Sequence, residues 1–232
     1  MKTLLFLISL ICIVNINAQN VDIPDANFKA YLVGNNLINT NLDTEIQVSE
    51  ASSFNGTIYC EGLEIFNLTG IEAFTDLERL LCGNNKLTSL DVSNNKSLKT
   101  LNCNDNQLKS FNLSKNIALE SLSCNYNQLK SLDVSKNIAI TNLSCVYNQL
   151  ISLDLSNNTF LTNLSCGRNE LTLLDVSKNT NLSIFECSYN QLTSLDVSMN
   201  TDLTTLTCQN PKLICVRGIP LDCSLDGAIK CQ

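Results

Sequence analysis

From Leu77 onward the apolar positions recur with a fixed period of 21 residues. Successive units read LERLLCGNNKLTSLDVSNNKS, LKTLNCNDNQLKSFNLSKNIA and LESLSCNYNQLKSLDVSKNIA, and the run closes on a degenerate LTTLTCQNPKL. A strict period of this size marks a solenoid. Each unit holds two similar halves, LxxLxCxxNx and LxxLDVSxNxx. In both, apolar and polar residues alternate around L-x-C or L-x-V, which predicts a short strand with one buried face. Each coil is therefore expected to carry two short parallel strands, and the stacked coils two narrow parallel sheets around a thin core. No coil can bury its leucines alone, so stability comes from its neighbours. Residues 58–76 form a variant opening unit on the same template, through Ile58, Cys60, Ile65 and Leu68.

Two polar columns run through this pattern. One is Asn85, Asn106, Asn127, Asn148, Asn169 and Asn190; the other is Asn95, Asn116, Asn137, Asn158, Asn179 and Asn200. The chain must turn after each strand, leaving backbone N–H and C=O groups facing inward. An asparagine amide both donates and accepts, so a stacked column can satisfy them. These asparagines read as structural. A third column is cysteine: Cys60, Cys82, Cys103, Cys124, Cys145, Cys166, Cys187 and Cys208. Each takes the place of an inward-pointing leucine, and cysteine is small and readily buried. Stacked coils would set neighbours about 4.8 Å apart. A disulfide needs Cβ atoms about 3.8 Å apart and a near-perpendicular torsion. Parallel, in-register thiols miss that geometry, and the spacing lacks clustered metal-ligand patterns. The column is expected to be reduced, buried core thiols.

Both halves of the unit carry the L-x-x-L-x-L/C-x-x-N signature of leucine-rich repeats. The recurring LxxLxCxxNQLTSLDVSxN resembles leucine-rich-repeat proteins of the Bacteroidota, of the 21-residue type with two repeat-like halves. The preceding IPDANFKAYLVGNNLINTNLDTEIQVSEASSF and NLTGIEAFTDLERLLC resemble the internalin-like opening segment of that group. The resemblance covers about Val21 to Leu213. It implies a leucine-rich-repeat solenoid, export and binding to proteins on other cells, and it names no ligand. Many members of the group end in a secretion sorting domain; this sequence, ending at Gln232, has no segment long enough to match one.

The first residues, MKTLLFLISLICIVNINAQN, place Lys2 before an apolar run from Leu4 to Val14 and small Ala18 before Gln19. This reads as a secretory signal peptide over 1–18. The apolar run is short for a membrane anchor, and bulky Ile11 ahead of Cys12 argues against lipidation. No later segment could span a membrane. The expected layout is then an N-terminal cap over 19–57, the solenoid over 58–209 and a C-terminal cap over 210–232. A net charge of −7 gives no general attraction to nucleic acid. The sequence contains no histidine, which removes Ser-His-Asp and Cys-His machinery and imidazole metal sites.

Solenoid ends need caps. At the N-terminus, Pro24 followed by Phe28, Tyr31 and Leu32 predicts a short amphipathic helix starting at the proline. The stretch Asn39 to Glu50 then fits much of a calcium loop. Asn39, Asn41, Asp43, Glu45 and Glu50 stand at ligand positions, but the first is not Asp and Thr44 stands where a glycine eases the turn. The alternatives are a bound calcium and an EF-hand-shaped helix-loop-helix that folds without metal; no other cofactor is expected. At the C-terminus Pro211 breaks the period, and Cys215, Cys223 and Cys231 follow, with one disulfide expected among them.

Three surfaces are candidates for a partner. The outward positions of the LDVS strand hold Asp91, Asn112, Asp133, Asp154, Asp175 and Asp196, which read as a solvated face or, alternatively, as an acidic stripe. A glycosidase pair would require two carboxylates in distinct surroundings, whereas a regular stripe gives each much the same. The other strand turns out mostly Ser, Thr and Asn, able to hydrogen-bond to peptide or sugar but lacking aromatic anchors. The third candidate is the variable column two residues after each cysteine: Asn84, Asp105, Tyr126, Tyr147, Arg168, Tyr189 and Asn210. Tyr126, Tyr147, Arg168 and Tyr189 are residue types enriched in binding hot spots. The alternative is that each ring merely covers its neighbour's turn. The expected function is that of a secreted or cell-surface, non-catalytic binding protein with a protein ligand. A glycan-binding module is the first alternative and a carboxylate enzyme the second.

Overall fold

The computed structural model describes residues 19–213, 216–219 and 224–226. The expected signal peptide and the expected disulfide among Cys215, Cys223 and Cys231 lie outside them. The fold is a leucine-rich-repeat solenoid. Its L-x-C halves form strands β1 (Thr57–Tyr59), β2 (Arg79–Leu81), β3 (Thr100–Asn102), β4 (Ser121–Ser123), β5 (Asn142–Ser144), β6 (Asn163–Ser165), β7 (Ile184–Glu186), β9 (Thr205–Thr207) and β11 (Ser224–Asp226). These pair in parallel as one nine-stranded sheet, in chain order. The register is the sequence period itself. Leu101 lies opposite Leu122, Leu122 opposite Leu143, and Leu143 opposite Leu164. The middle residue of each strand from β1 to β7, and of β9, is buried and its flanks face out, as a period of two requires.

The second sheet expected from the LDVS halves does not form along the solenoid. Among the described residues only β8 (Leu195–Asp196) pairs in this half, with β10 (Val216–Arg217). In each of these coils the Asp Oδ1 accepts the N–H of the serine two residues on, at 2.9 Å from Ser93, Ser135, Ser156, Ser177 and Ser198 alike. That bond folds the turn just past the valine, and β8 pairs although Asp196 makes it too. The apolar residues of this half still point inward: Val92, Val134, Val176 and Val197 are fully buried.

The N-terminal cap closes the open end of the core. Helix α1 (Ala26–Val33) starts two residues later than the proline signal suggested, because Asp25 is its N-cap and Pro24 precedes the cap. One Asp25 oxygen accepts from the N–H groups of Asn27 and Phe28, both at 3.0 Å. The other accepts from Phe66 and Asn67 of the first coil at 2.8 and 3.2 Å. A single carboxylate thus caps the helix and fastens it to the solenoid. Phe28 and Leu32 are buried in the same apolar cluster as Ile58, Ile65 and the leucine and cysteine columns. Helix α2 (Val48–Ser53) follows the loop.

Candidate functional site

The variable column after the cysteines sits in a turn whose backbone is left-handed. The φ angles of Asn84, Asp105, Tyr126, Tyr147, Arg168 and Tyr189 lie between 51° and 57°. Each of these N–H groups donates to a carbonyl of the following coil, as Tyr126 does to Val146 at 2.9 Å, which fixes the conformation. Asparagine and aspartate tolerate it; other L residues lose about 1–2 kcal/mol. Tyrosine and arginine are not there for the backbone's sake.

Their side chains account for them. The Tyr126 and Tyr147 rings stack with centroids 4.4 Å apart and planes 19° from parallel. The Arg168 guanidinium lies 4.6 Å from the Tyr147 centroid and 4.1 Å from that of Tyr189. Tyr147, Arg168 and Tyr189 form a sandwich, and the four residues one continuous ladder along the edge of the coils. An aromatic stack is worth about 0.5–1.5 kcal/mol and an exposed cation–π contact about 0.5–1 kcal/mol. These terms are of the same size as the backbone cost, so the ladder is close to neutral for stability. Tyr126, Tyr147 and Tyr189 remain 50%, 39% and 49% exposed. The rings cover one another, as the alternative for this column expects, and they stay partly exposed. The Tyr189 hydroxyl donates to Gln209 at 3.3 Å.

The strands that feed the ladder present small polar residues already bonded to one another. Ser123 and Ser144 donate to Asn104 and Asn125 at 2.8 Å each, and Asn163 donates to Asn142 at 2.8 Å. Before these same strands lies a feature the sequence reading missed. Ile117, Ile138 and Phe160, in the turns leading into β4, β5 and β6, are 64%, 55% and 58% exposed. The signal was present, since Lys96 and Thr180 hold the position of Ile117 in other coils; Ile138 shares that position, whereas Phe160 stands one place later, beside Thr159. Each of three consecutive strands is thus preceded by one exposed apolar side chain and followed by Tyr126, Tyr147 or Arg168.

The aspartate column belongs to the turns described above. Hydrogen bonds from the Ser156 N–H and hydroxyl hold the Asp154 carboxyl below its ordinary value, against the opposing push of burial and of Asp133 and Asp175. Asp91, Asp133, Asp175 and Asp196 are lowered in the same way by the serine two residues on. Five carboxylates with the same environment offer no acid–base division of labour.

The calcium-like loop lies between α1 and α2, and its own hydrogen bonds close it. Asn39 is buried and donates to the carbonyls of Val33 and Asp43 at 3.0 and 2.8 Å. Asn41 donates to Asp43 and Gln47, and Gln47 to Asp43. The Glu45 carboxylate turns away to Lys29 at 2.7 Å. Glu50 accepts from the N–H groups of Thr40, Asn41 and Gln47 at 2.7, 3.2 and 3.0 Å. Burial pulls the Glu50 carboxyl up, but the Gln47 N–H, the Thr40 hydroxyl and the N–H groups of Asn41 and Thr40 outweigh it and hold it below its ordinary value. Among the described residues no three acidic or cysteine side chains converge as a metal site would require. In this arrangement Glu50 is a cap for α2 and a clasp for the loop.

The cysteine column, Cys60 to Cys208, is buried, and Cys60 to Cys187 carry free thiols. Burial pushes the Cys103 and Cys145 thiols up to about 12. The two asparagine columns serve different ends. Asn127 donates to the carbonyls of Cys103 and Cys124, and its oxygen accepts from Leu108 N–H at 2.9 Å. Asn106 and Asn148 do likewise one coil before and after. Asn116, Asn137 and Asn158 donate to two carbonyls each, but their buried oxygens have no partner.

This architecture is that of leucine-rich-repeat proteins, and solved structures agree. The chain is similar to the functional domain of InlJ from Listeria monocytogenes, which includes a cysteine ladder: 30% identity, TM-score 0.62, covering 84% of this chain and 54% of that one. It is also similar in fold to the Leptospira interrogans leucine-rich-repeat protein LIC12759, at 19% identity and TM-score 0.56, over 77% of this chain and 62% of that one. The chain thus spans about half the length of the InlJ domain it matches. No family model matches it, and no curated protein does.

Proposed function

We propose that this chain is a non-catalytic recognition protein that acts outside the cell and binds a protein partner across β4 to β6. The reading rests on one observation. On the same three coils, exposed Ile117, Ile138 and Phe160 and the ladder of Tyr126, Tyr147 and Arg168 flank a sheet face of small, mutually bonded polar residues. Protein interfaces combine such apolar and aromatic anchors with a polar surround. The leucine-rich-repeat fold supports protein binding, and the apolar leader from Leu4 to Val14 supports export. The uniform aspartate column supports the absence of catalysis. A glycan site is less well supported, because sugars stack on open ring faces and the ladder uses most of its own.

The experiment is capture of cell-surface proteins by the wild type and by the triple variant Tyr126→Asn, Tyr147→Asn and Arg168→Asn. Asparagine is chosen because Asn84 already occupies this left-handed position. The expected result is a partner retained by the wild type and lost by the variant, with the melting temperature changed by only a few degrees. A glycan array that lights up while no protein is captured would reverse the reading.

A further inference from the structure

The ladder has two ends: Tyr189, followed one coil on by Asn210, and Tyr126, preceded one coil back by Asp105. Tyr147 is covered by Tyr126 on one side and Arg168 on the other. Tyr189 has Arg168 on one side and Gln209 at its hydroxyl. Tyr126 stacks on Tyr147 with one face; the other points along the stack toward the preceding coil. The residue at the ladder position there is Asp105, left-handed like the rest, with its N–H on the Asn125 carbonyl at 2.9 Å. An aspartate side chain is too short to cover a phenol ring that reaches outward beyond it. Its carboxylate, moreover, has no hydrogen-bond or ion-pair partner among the described residues.

We propose that the open face of Tyr126, with the Asp105 carboxylate beside it, seats an arginine side chain of the protein partner. This deepens the recognition reading above and rests on it. The chain itself shows that the geometry works. Arg168 fills one coil spacing between two rings, with 4.6 and 4.1 Å to their centroids. A guanidinium arriving from outside would repeat that contact one step beyond the end of the ladder. It would meet a π face and an unpaired carboxylate together, the two groups a guanidinium binds best. A lysine ammonium is a compact point charge that cannot stack as a plane, so arginine is the better occupant. The net charge of −7 draws a cationic segment toward the surface.

The test uses the full chain and three capped tripeptides, Arg-Arg-Arg, Lys-Lys-Lys and Gln-Gln-Gln, titrated while the tyrosine ring resonances are followed by NMR. The expected result is a saturable shift centred on Tyr126, at least threefold tighter for the arginine peptide than for lysine, and absent for glutamine. Tyr126→Asn removes the shift, Tyr126→Phe keeps it, and Asp105→Asn weakens binding about fivefold, a change of about 1 kcal/mol. Asp105→Asn leaves the ladder and its turn intact, so it decides the matter even if Tyr126→Asn folds poorly. Equal response to arginine and lysine, indifference to Asp105→Asn, or shifts of the same size at Tyr31 and Tyr59 would each overturn the proposal. If the triple variant loses its captured partner while the arginine peptide does not bind, the seat is wrong and the recognition reading stands. If the peptide binds at Tyr126 and no partner is captured, the seat stands and the recognition reading falls.

Discussion

At the scale of single residues, the two asparagine columns look alike in sequence and differ in what they hold. Asn127 donates to three carbonyls and accepts one N–H; Asn137 donates to two carbonyls and leaves its own oxygen bare. A buried backbone group stripped of its partner costs about 1–3 kcal/mol. Asn137→Ala should therefore destabilise by about 2–4 kcal/mol, and Asn127→Ala by about 1 kcal/mol or more beyond that, because it also strands the Leu108 N–H. Urea unfolding of the two variants under identical conditions checks the order; equal losses would mean that the Asn127 oxygen contributes nothing. The columns themselves were legible in the repeat, since any residue recurring at a fixed place in every coil must face the same surroundings. The division of labour was not, because it depends on which way each amide oxygen points. The left-handed turn was hinted at by Asn84 and Asp105 and hidden by the tyrosines that follow, whose presence there is set by their neighbours' rings rather than by backbone preference.

At the scale of elements, alternation predicted two strands per coil and the chain builds one. The L-x-C half pairs coil to coil in register along the solenoid. In the L-D-V-S half, Asp91 and its equivalents take the serine N–H and fold a turn just past the valine, and among the described residues only β8 pairs there. The alternation of Leu90, Asp91 and Val92 is real and correctly places the leucine and valine in the core; it says nothing about the turn that the aspartate folds. Pattern reading also attends to apolar residues at core positions, which is why Ile117, Ile138 and Phe160, in turns, escaped it. The N-terminal cap was legible as helix, loop and helix, while the role of its acidic residues was not. Here the hydrogen bonds make a prediction. Glu50→Ala removes the clasp on the Thr40, Asn41 and Gln47 N–H groups and should lower stability by about 1–3 kcal/mol. The wild-type melting temperature should be the same in millimolar calcium and in chelator. A rise with calcium that Glu50→Ala abolishes would instead make the loop a cation site.

At the scale of the whole molecule, the cysteine column makes stability depend on alkaline pH to a degree unusual for a solenoid. Each coil contributes one thiol that the fold keeps protonated: burial raises Cys60, Cys103 and Cys145 to about 12, and Cys82, Cys124, Cys166 and Cys187 well above their ordinary value. In the unfolded chain the same thiols ionise near 8.5. The folded pKa lies above the unfolded one, so the folded state holds more protons once the unfolded thiols ionise. Their contribution to stability is therefore complete below about pH 8 and is lost as pH rises toward the folded value. Each such group gives a limiting slope of about 1.4 kcal/mol per pH unit. Because the coils share one continuous core, these seven buried thiols act on the same unfolding equilibrium, and the combined slope approaches about 10 kcal/mol per pH unit. A domain of ordinary stability, about 5–15 kcal/mol, cannot withstand that for long. The protein should therefore unfold cooperatively within one to two pH units above about pH 9, under reducing conditions that prevent disulfides from forming in the unfolded chain. Replacing Cys124 and Cys145 by valine, which fills nearly the same volume, should flatten the slope by about 3 kcal/mol per pH unit, twice the limiting value for one thiol. Urea midpoints measured from pH 7 to 10 for both proteins provide the check. Midpoints that are flat through this range, or equally steep in the double variant, would show that the thiols are not what the alkaline limit reports.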